Sequence, residues 1–383
     1  MGRVMVVAGE ASGDMHGAKV IKEMKKLNSD LDFFGMGGRR MRKEGVDLLY
    51  DPTKLSTIGF LEALKHIRLM YKILDKLDKA MEERKPEVIL LVDYSGFNMK
   101  VAKLAHKRKI PVVDYFAPSA WVWGKWRAKK MAKREAKIAS VFPMEEKVYR
   151  EAGAEVEFVG HPLLDMVELN LSREEFLKKH NIDENDLIIG ILPGSREQEV
   201  NSLLRPMLEG AKKVSMSYPN VQFILPLADT IDRDIIESKA KGYDINLKVI
   251  SGYSYEVMEL ANLLLIASGT ATLEASCFGT PMVIVYKTSI LSYLLGKLLV
   301  KIPYIGLPNI IADKEIVPEL LQKDARGEKL AKEALDILKS KKKQEEIRQE
   351  LKEVIVKLGK DGATKRVAKL VLETGGIKVD GIS

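Results

Sequence analysis

Three segments of this chain place glycines beside hydroxyls or charged groups directly after a strand-length apolar run, where they could handle an anion or a proton. In Gly9-Glu10-Ala11-Ser12-Gly13-Asp14-Met15-His16-Gly17, three glycines accompany a hydroxyl, two acids and an imidazole. Leu192-Pro193-Gly194-Ser195-Arg196 offers a turn that brings backbone close to an anion, beside a permanently charged planar fork suited to phosphate oxygens. Leu263 to Ala267 is wholly apolar, breaks at Ser268-Gly269 and restarts with a helical pattern at Thr270. The bare amides and positive dipole end of that helix suit a phosphate or diphosphate. Glu274, one turn in, is placed to accept bonds from sugar hydroxyls. In Val92-Asp93-Tyr94-Ser95-Gly96-Phe97-Asn98, a carboxylate follows an apolar run begun at Val88. Two readings of Asp93 stand level: a general base, if its surroundings raise its pKa, or a cap for the helix from Phe97 onward.

Other chemistries find less support. The first turn lacks the G-x-G-x-x-G order, and the near miss Gly35-Met36-Gly37-Gly38-Arg39-Arg40 ends in arginine, which disfavours a nicotinamide enzyme. No G-x-x-x-x-G-K-[ST] is present, so a P-loop nucleotidase is disfavoured too. The histidines at 16, 66, 106, 161 and 180 form no H-x-x-x-H pair. Asp232-Arg233-Asp234 resembles the D-x-D of metal-using sugar transferases but fits better as the acidic first turn of a helix. No metal is therefore expected. The lone Cys277 excludes an intrachain disulfide, fits a reducing compartment and falls where packing explains it.

The elements that must position these residues alternate between strand-length apolar runs and amphipathic helices, which predicts an α/β fold with parallel, doubly wound sheets. The first half is expected to form strands at Val4–Ala8, Asp32–Gly35, Val88–Val92, Val112–Phe116, Ile138–Phe142 and Val156–Val159. The second is expected to form them at Leu187–Leu192, Val221–Pro226, Leu247–Ile250, Leu263–Ala267 and Met282–Val285. Between the series lie Gly160-His161-Pro162 and the capping-box pattern Ser172-Arg173-Glu174-Glu175, so two Rossmann-like domains are placed at 1–165 and 166–354. The tail beyond Gly327 reads as charged helices, broken at Lys339–Lys343, with 355–383 able to pack back on the first domain. At 383 residues, 46% hydrophobic and 30% charged, the chain suffices for two globular cores. No apolar run approaches the ~18 residues of a membrane span, and Arg3–Ala8 is too short for a secretory signal, so a cytoplasmic location is expected.

A net charge of +8 should draw the chain to anionic surfaces. Trp121, Trp123 and Trp126 precede Arg127, Lys129, Lys130, Lys133, Arg134 and Lys137. That mixture fits single-stranded nucleic acid, a membrane interface, stacking on a sugar, or a helix with a basic outer face. Phe60, Leu64, Ile67, Tyr71 and Leu74 make one stripe at helical spacing, which a core-facing helix explains. The apolar stretch Ile290 to Ile302, punctuated by lysines, suits acyl-chain or headgroup contact instead.

Taken in order, Gly9 to Gly17, Pro118-Ser119-Ala120-Trp121-Val122-Trp123, Gly160-His161-Pro162, Leu192 to Arg196, Ser268 to Glu274 and Gly306-Leu307-Pro308-Asn309 resemble the motifs of the lipid-A-disaccharide synthases over nearly the whole chain. The resemblance implies a GT-B fold with its active site in the cleft between domains. It implies an inverting transfer from UDP-2,3-diacylglucosamine to 2,3-diacylglucosamine 1-phosphate, giving a β-1,6-linked disaccharide and UDP. Asp93 would be the base, with Asp14 as second choice. Tyr94-Ser95-Gly96 departs from the family's proline-containing form and lacks the second acid of some members. Arg196, with Gly194, Ser195, Gly269, Thr270, Ala271 and Thr272, would hold UDP without a metal or other cofactor. Glu274 would take the ribose, and Asn309 and Gln322 would line the donor site. Glu10, Ser12, Gly13, His16, Asn98, Ser119 and Trp121 would face the acceptor. Phe60, Leu61, Leu64, Ile67, Leu294, Leu295 and Leu298 would meet acyl chains or the anionic inner-membrane surface, on its cytoplasmic face. Nucleic acid is not an expected partner, and a homodimer is left open. The alternatives are another GT-B transferase, a UDP-sugar epimerase, or a basic protein binding single-stranded nucleic acid.

Overall fold

In the computed structural model, which describes residues 2–52, 60–122, 124–288 and 303–379 (side chains 60–67 apart), the apolar runs become parallel strands. Val88–Val92 and Leu263–Ala267 are buried at every position, because helices cover both faces of the sheets they centre. The chain divides into two compact units, Met1–Asp165 with Leu358–Ser383, and Met166–Lys357.

The first unit runs β1 (Gly2–Ala8), α1 (Ala11–Leu27), β2 (Leu31–Met36), α2 (Arg39–Lys43), β3 (Asp47–Tyr50), α3 (Phe60–Arg84), β4 (Val88–Val92), α4 (Ser95–Lys107) and β5 (Val112–Tyr115). It continues through α5 (Trp126–Ala132), β6 (Ala136–Ser140), α6 (Pro143–Glu151) and β7 (Val156–Phe158). Its strand order is β3-β2-β1-β4-β5-β6-β7, all parallel. One face packs against α3 to α6, and the opposite face against α1 and a helix from the far end of the chain.

The second unit runs α7 (Arg173–His180), β8 (Ile188–Leu192), α8 (Glu197–Ser215), β9 (Gln222–Leu227), α9 (Arg233–Ala240), β10 (Leu247–Ser251), α10 (Ser254–Leu260), β11 (Leu263–Ala267), α11 (Thr270–Cys277) and β12 (Met282–Tyr286). After residues outside the description come α12 (Leu307–Ala312), β13 (Glu319–Leu321), α13 (Gly327–Leu338) and α14 (Lys341–Lys357). The strand order is β10-β9-β8-β11-β12-β13. Each order reverses once, between β1 and β4 and between β8 and β11. Open α/β sheets bind ligands beyond the carboxyl ends at such points.

Several expectations shift. β3 and β13 are short edge strands with acids at their starts, so no apolar run announced them. β6 begins two residues earlier than expected and stops at Ser140, since Pro143 opens α6. The break at Lys339–Lys343 narrows to Lys339 and Ser340, and the Ser340 hydroxyl accepts from the Lys343 amide (3.2 Å), so Lys341–Lys343 already belong to α14. Ser172 and Glu175 form a reciprocal capping box. Asp232 caps α9 through the Asp234 amide at 3.0 Å.

After Lys357 the chain returns to the first unit and ends in α15 (Ala363–Thr374), which lies on α1. Asp165 holds that return: its carboxylate accepts from the Gly362 amide, the Thr364 amide (3.2 Å) and the Thr364 hydroxyl (3.3 Å). Arg366 adds donations to the carbonyls of Val159 (2.8 Å), Asp361 (2.8 Å) and Lys360 (2.6 Å). Asp165→Ala strips the carboxylate from the start of α15 and should lower stability by about 1–2 kcal/mol, with Asp165→Asn losing less. Urea unfolding of both variants measures this, and equal midpoints for wild type and Asp165→Ala would refute it.

Candidate functional site

At the β1/β4 switch point the backbone is forced into an uncommon shape. Asp93 (φ 52°) and Tyr94 (φ 62°) follow β4, and Phe116 (φ 59°) follows β5, all left-handed without being glycine. Such strain persists only where packing over-determines it, and it gathers at functional sites. Here it turns Asp93 back toward α1. The Ser12 hydroxyl donates to Asp93 Oδ2 (2.9 Å), the Tyr94 amide donates to Oδ1 (2.8 Å), and the Asn98 amide group donates to the Asp93 carbonyl. Asp93 therefore does not cap α4, whose N-cap position is Tyr94 with no side-chain bond. The Tyr94 ring fills the space over Gly9, where an added Cβ would stand 2.0 Å from it.

Two histidines stack beside the left-handed Phe116. His16 lies 4.6 Å from the Phe116 ring, and His161 lies 4.9 Å from Phe142 and 6.2 Å from Phe116. Burial, aided by Lys19 and opposed by Asp93, lowers the His16 pKa to about 4. Burial, aided by His16, lowers that of His161 to about 4 as well, and its Nδ1 accepts from the Leu163 amide at 3.1 Å. Both imidazoles are thus neutral at pH 7. Phe116 and His161 carried no assigned role in the sequence; the histidine stands in a quoted motif, whereas nothing local marks the phenylalanine.

The remaining expected acceptor-side residues separate into two groups. Asp14 is buried and accepts from the amides of Gly38 (2.7 Å), Arg40 (3.0 Å) and Met41 (3.0 Å), so its carboxylate secures the start of α2. That corrects its standing as second-choice base. Gly13 is buried behind the turn, while Glu10 and Ser119 are exposed. Trp121 is half-buried against Phe142 (6.1 Å), and its Nε1 meets no acceptor among the described residues. Asn98 Oδ1 is likewise buried and unpaired.

At the β8/β11 switch point of the second unit a cavity of about 480 Å³ opens. Gly194, Ser195, Arg196, Gly269, Thr270, Ala271 and Glu274 all line it. Glu199, Pro226, Ala228, Ser254 and Met258 join them, brought in by α8, the end of β9 and α10. Gly194 needs its glycine, with φ 110°; Gly269 is extended (φ 162°), and a Cβ there would meet nothing within 4 Å. The room beside Gly269 belongs to the cavity.

The amides around this cavity are not equally available. Glu199 accepts from the amides of Ser195 (3.2 Å) and Arg196 (3.3 Å) and pairs with the Arg196 guanidinium at 3.3 Å. An anion at that turn must share or displace this carboxylate. The start of α11 has no side-chain cap. Glu274 is half-buried, and desolvation raises its pKa. Burial, then Glu274, pushes the Tyr255 phenol up to about 12 and the Cys277 thiol up to about 11, which leaves the thiol unreactive.

Three expected donor-site residues do not line the cavity. Thr272 is buried, with its hydroxyl donating to the Gly269 carbonyl at 2.7 Å. Asn309, fully buried, donates to the Val317 carbonyl and to Glu319 (both 2.8 Å) and accepts from the amides of Ile316 (2.8 Å) and Val317 (3.1 Å). Its amide group is spent joining α12 to β13. Gln322 accepts from the Thr288 amide (3.3 Å) but keeps a buried Nε2 without an acceptor among the described residues. The side chains of Phe60, Leu61, Leu64 and Ile67, together with Leu294, Leu295 and Leu298, lie outside the described residues. Farther along the same stripe Leu74 is buried and Tyr71 exposed. Among the described residues no helix is long and apolar enough to cross a membrane, and no group of three or more His, Cys, Asp or Glu could hold a metal.

Comparison with known proteins bears on this geometry. The family described as lipid-A-disaccharide synthetase matches residues 4–373. Lipid-A-disaccharide synthases of Geobacter metallireducens and Syntrophus aciditrophicus are 41% and 39% identical, covering 98% and 96% of this chain and 98% and 97% of their own. Among solved structures, the UDP-GlcNAc 2-epimerase of Neisseria meningitidis bound to UDP-GlcNAc superposes with TM-score 0.63 at 14% identity, over 97% of this chain and all of that one. A kitacinnamycin glycosyltransferase gives 0.64 at 15%, over 97% and 98%. The architecture they share with this chain is GT-B.

The two depressed histidines set a pH dependence. Between about pH 6.5 and 4 the folded chain binds fewer protons than the unfolded one, so their contribution is whole above 6.5 and is lost as pH falls through 4. The loss should approach about 3 kcal/mol per histidine. Denaturant midpoints at pH 7 and 4.5, for wild type and for His16→Phe, test it; wild-type midpoints that do not move would overturn it.

Proposed function

The chain belongs to the lipid-A-disaccharide synthetase family, a family of glycosyltransferases, and from that membership we propose a division of labour between its two sites. The second unit holds UDP-2,3-diacylglucosamine by its nucleotide, and the first activates 2,3-diacylglucosamine 1-phosphate. The single observation that carries the reading is the uncapped start of α11 facing a cavity that also receives Arg196 and Glu274. Diphosphate oxygens meet the amides at Gly269 and Thr270 and the guanidinium of Arg196, while Glu274 accepts from ribose hydroxyls.

Asp93 takes the proton from the acceptor 6-hydroxyl. That oxygen attacks the donor's anomeric carbon from the face opposite UDP, a β-1,6 bond forms, and the C1–O bond breaks with its electron pair leaving on UDP. One in-line displacement inverts an α-linked donor to a β-linked product. The Ser12 hydroxyl and Tyr94 amide fix the orientation of the carboxylate, one on each oxygen. Neutral His16 adds no competing positive charge near it. Negative charge growing on the leaving diphosphate is met by Arg196 and the α11 dipole, with no metal in the scheme.

Mass analysis of the product formed from the two acylated precursors tests the reaction itself. Asp93→Asn should cut turnover by roughly 10³-fold and Arg196→Ala by roughly 10²-fold, with folding intact. Near-wild-type turnover in Asp93→Asn would pass the base role to another group. Glu199→Gln, which removes a negative charge from the Ser195–Arg196 amides, should tighten UDP several-fold by calorimetry; weaker binding would mean that the carboxylate serves the site.

A further inference from the structure

A series of touching rings borders the carboxyl edge of the first sheet. From His16 on α1 it passes to Phe116 (4.6 Å between centroids), to His161 (6.2 Å), to Phe142 (4.9 Å) and to Trp121 (6.1 Å). Phe116 and Trp121 follow β5, Phe142 follows β6 and His161 follows β7. His16, Phe116, Phe142 and Trp121 are half-buried, so each keeps part of its ring open. Folding alone does not explain Phe116. Its left-handed backbone (φ 59°) suits glycine, yet the residue carries the ring that joins His16 to His161.

The two ends of the series differ in hydrogen-bonding character. Near His16 stands Asp93, a carboxylate that accepts. Farther along, two N–H groups donate. His161 Nδ1 accepts from the Leu163 amide at 3.1 Å, and burial keeps the ring neutral, so its proton sits on Nε2. Among the described residues Nε2 has no acceptor, and neither has the buried Trp121 Nε1. A desolvated donor of this kind is costly until something supplies an acceptor. The acids on neighbouring turns serve backbone amides instead, Glu145 that of Val141 (3.0 Å) and Asp165 those of Gly362 and Thr364. A molecule lying along these rings must therefore offer a hydroxyl at one end, acceptors at the other, and a C–H face between them.

We propose that the aromatic series seats the acceptor sugar, with its ring against Phe116 and its phosphate taking hydrogen bonds from His161 Nε2 and Trp121 Nε1. The inference rests on the proposed reaction, in which the 6-hydroxyl meets Asp93; the 1-phosphate stands across the same pyranose ring. His161 is then a binding residue for the acceptor, and the Leu163 amide fixes which of its nitrogens donates.

Initial rates of the full chain test this, with UDP-2,3-diacylglucosamine as donor and 2,3-diacylglucosamine, with or without its 1-phosphate, as acceptor. For wild type, removing the phosphate should raise the acceptor KM about 100-fold, at about tenfold for each hydrogen bond to a charged group. His161→Phe and Trp121→Phe should each raise the KM of the phosphorylated acceptor about tenfold. Both should leave the donor KM in place and scarcely move the KM of the phosphate-free acceptor. His161→Gln, which keeps an acceptor for the Leu163 amide and an N–H for the ligand, should recover most of the loss. Trp121→Phe breaks no hydrogen bond among the described residues, so it keeps the test open if His161→Phe misfolds. Phe116→Gly removes the ring where glycine suits the backbone and should raise the KM of both acceptors. Equal KM changes for the two acceptors in the His161 and Trp121 variants, or none, would overturn the proposal. A wild type that forms disaccharide equally well without the phosphate would overturn it while leaving the reaction standing. A wild type that forms no disaccharide would overturn both.

Discussion

Because the strands within each sheet run parallel, their carboxyl ends lie along one edge of that sheet, where helices begin with amides that have no acceptor inside the helix. Much of the structure follows from how those amides are satisfied. The chain's own side chains take many of them: Asp14 at α2, Glu145 at α6, Ser172 at α7, Glu199 at α8, Asp232 at α9 and Asp165 at α15. α1, α4, α10 and α11 start without a side-chain cap, and they border the Asp93 loop or the cavity. α5 and α13 share that lack. The open positions gather where a ligand would supply what the protein withholds.

The first unit also accepts costs to shape its loop. Three non-glycine residues in left-handed backbone, each worth of order 1–3 kcal/mol, are held by the burial around them. Behind them sits Asp114, fully buried, with its carboxyl pKa raised well above the usual carboxylate range by desolvation and then by the neighbouring Glu145 and Asp93. Glu145 is itself raised to about 7 by burial, against the amides of Val141 and Phe142 that favour its charge. This buried pair lies beneath the aromatic loop that ends at Trp121, where Tyr149 donates to the Pro118 carbonyl at 2.8 Å.

Much of this was legible in the residues, and the failures have physical causes. Central strands announced themselves because burial on both faces demands unbroken apolar runs; β3 and β13, at the edges, had no such demand. The turn motifs placed Gly194 to Arg196 and Gly269 to Ala271 at one cavity, since a glycine turn after a buried strand has few other uses. What the motifs could not convey was where each polar side chain spends its bonds. Asp14 and Asn309 sit in ligand-like motifs yet serve their own backbone, and Glu199, which resembles any helix-opening acid, occupies amides that a diphosphate would want. Pairings across 24 residues of chain, as between Asp14 and Gly38, leave no local trace.

The return of the chain to its first unit bears on the order in which the protein is made. Val367, Ala368, Leu370, Val371 and Leu372 fill the face of the first sheet that α1 covers only in part. A ribosome releases them only after residues 166–357 have emerged with everything the second core requires. The unit that begins first is therefore the one that must wait. During synthesis it shows water the apolar side of a sheet that no earlier segment can close.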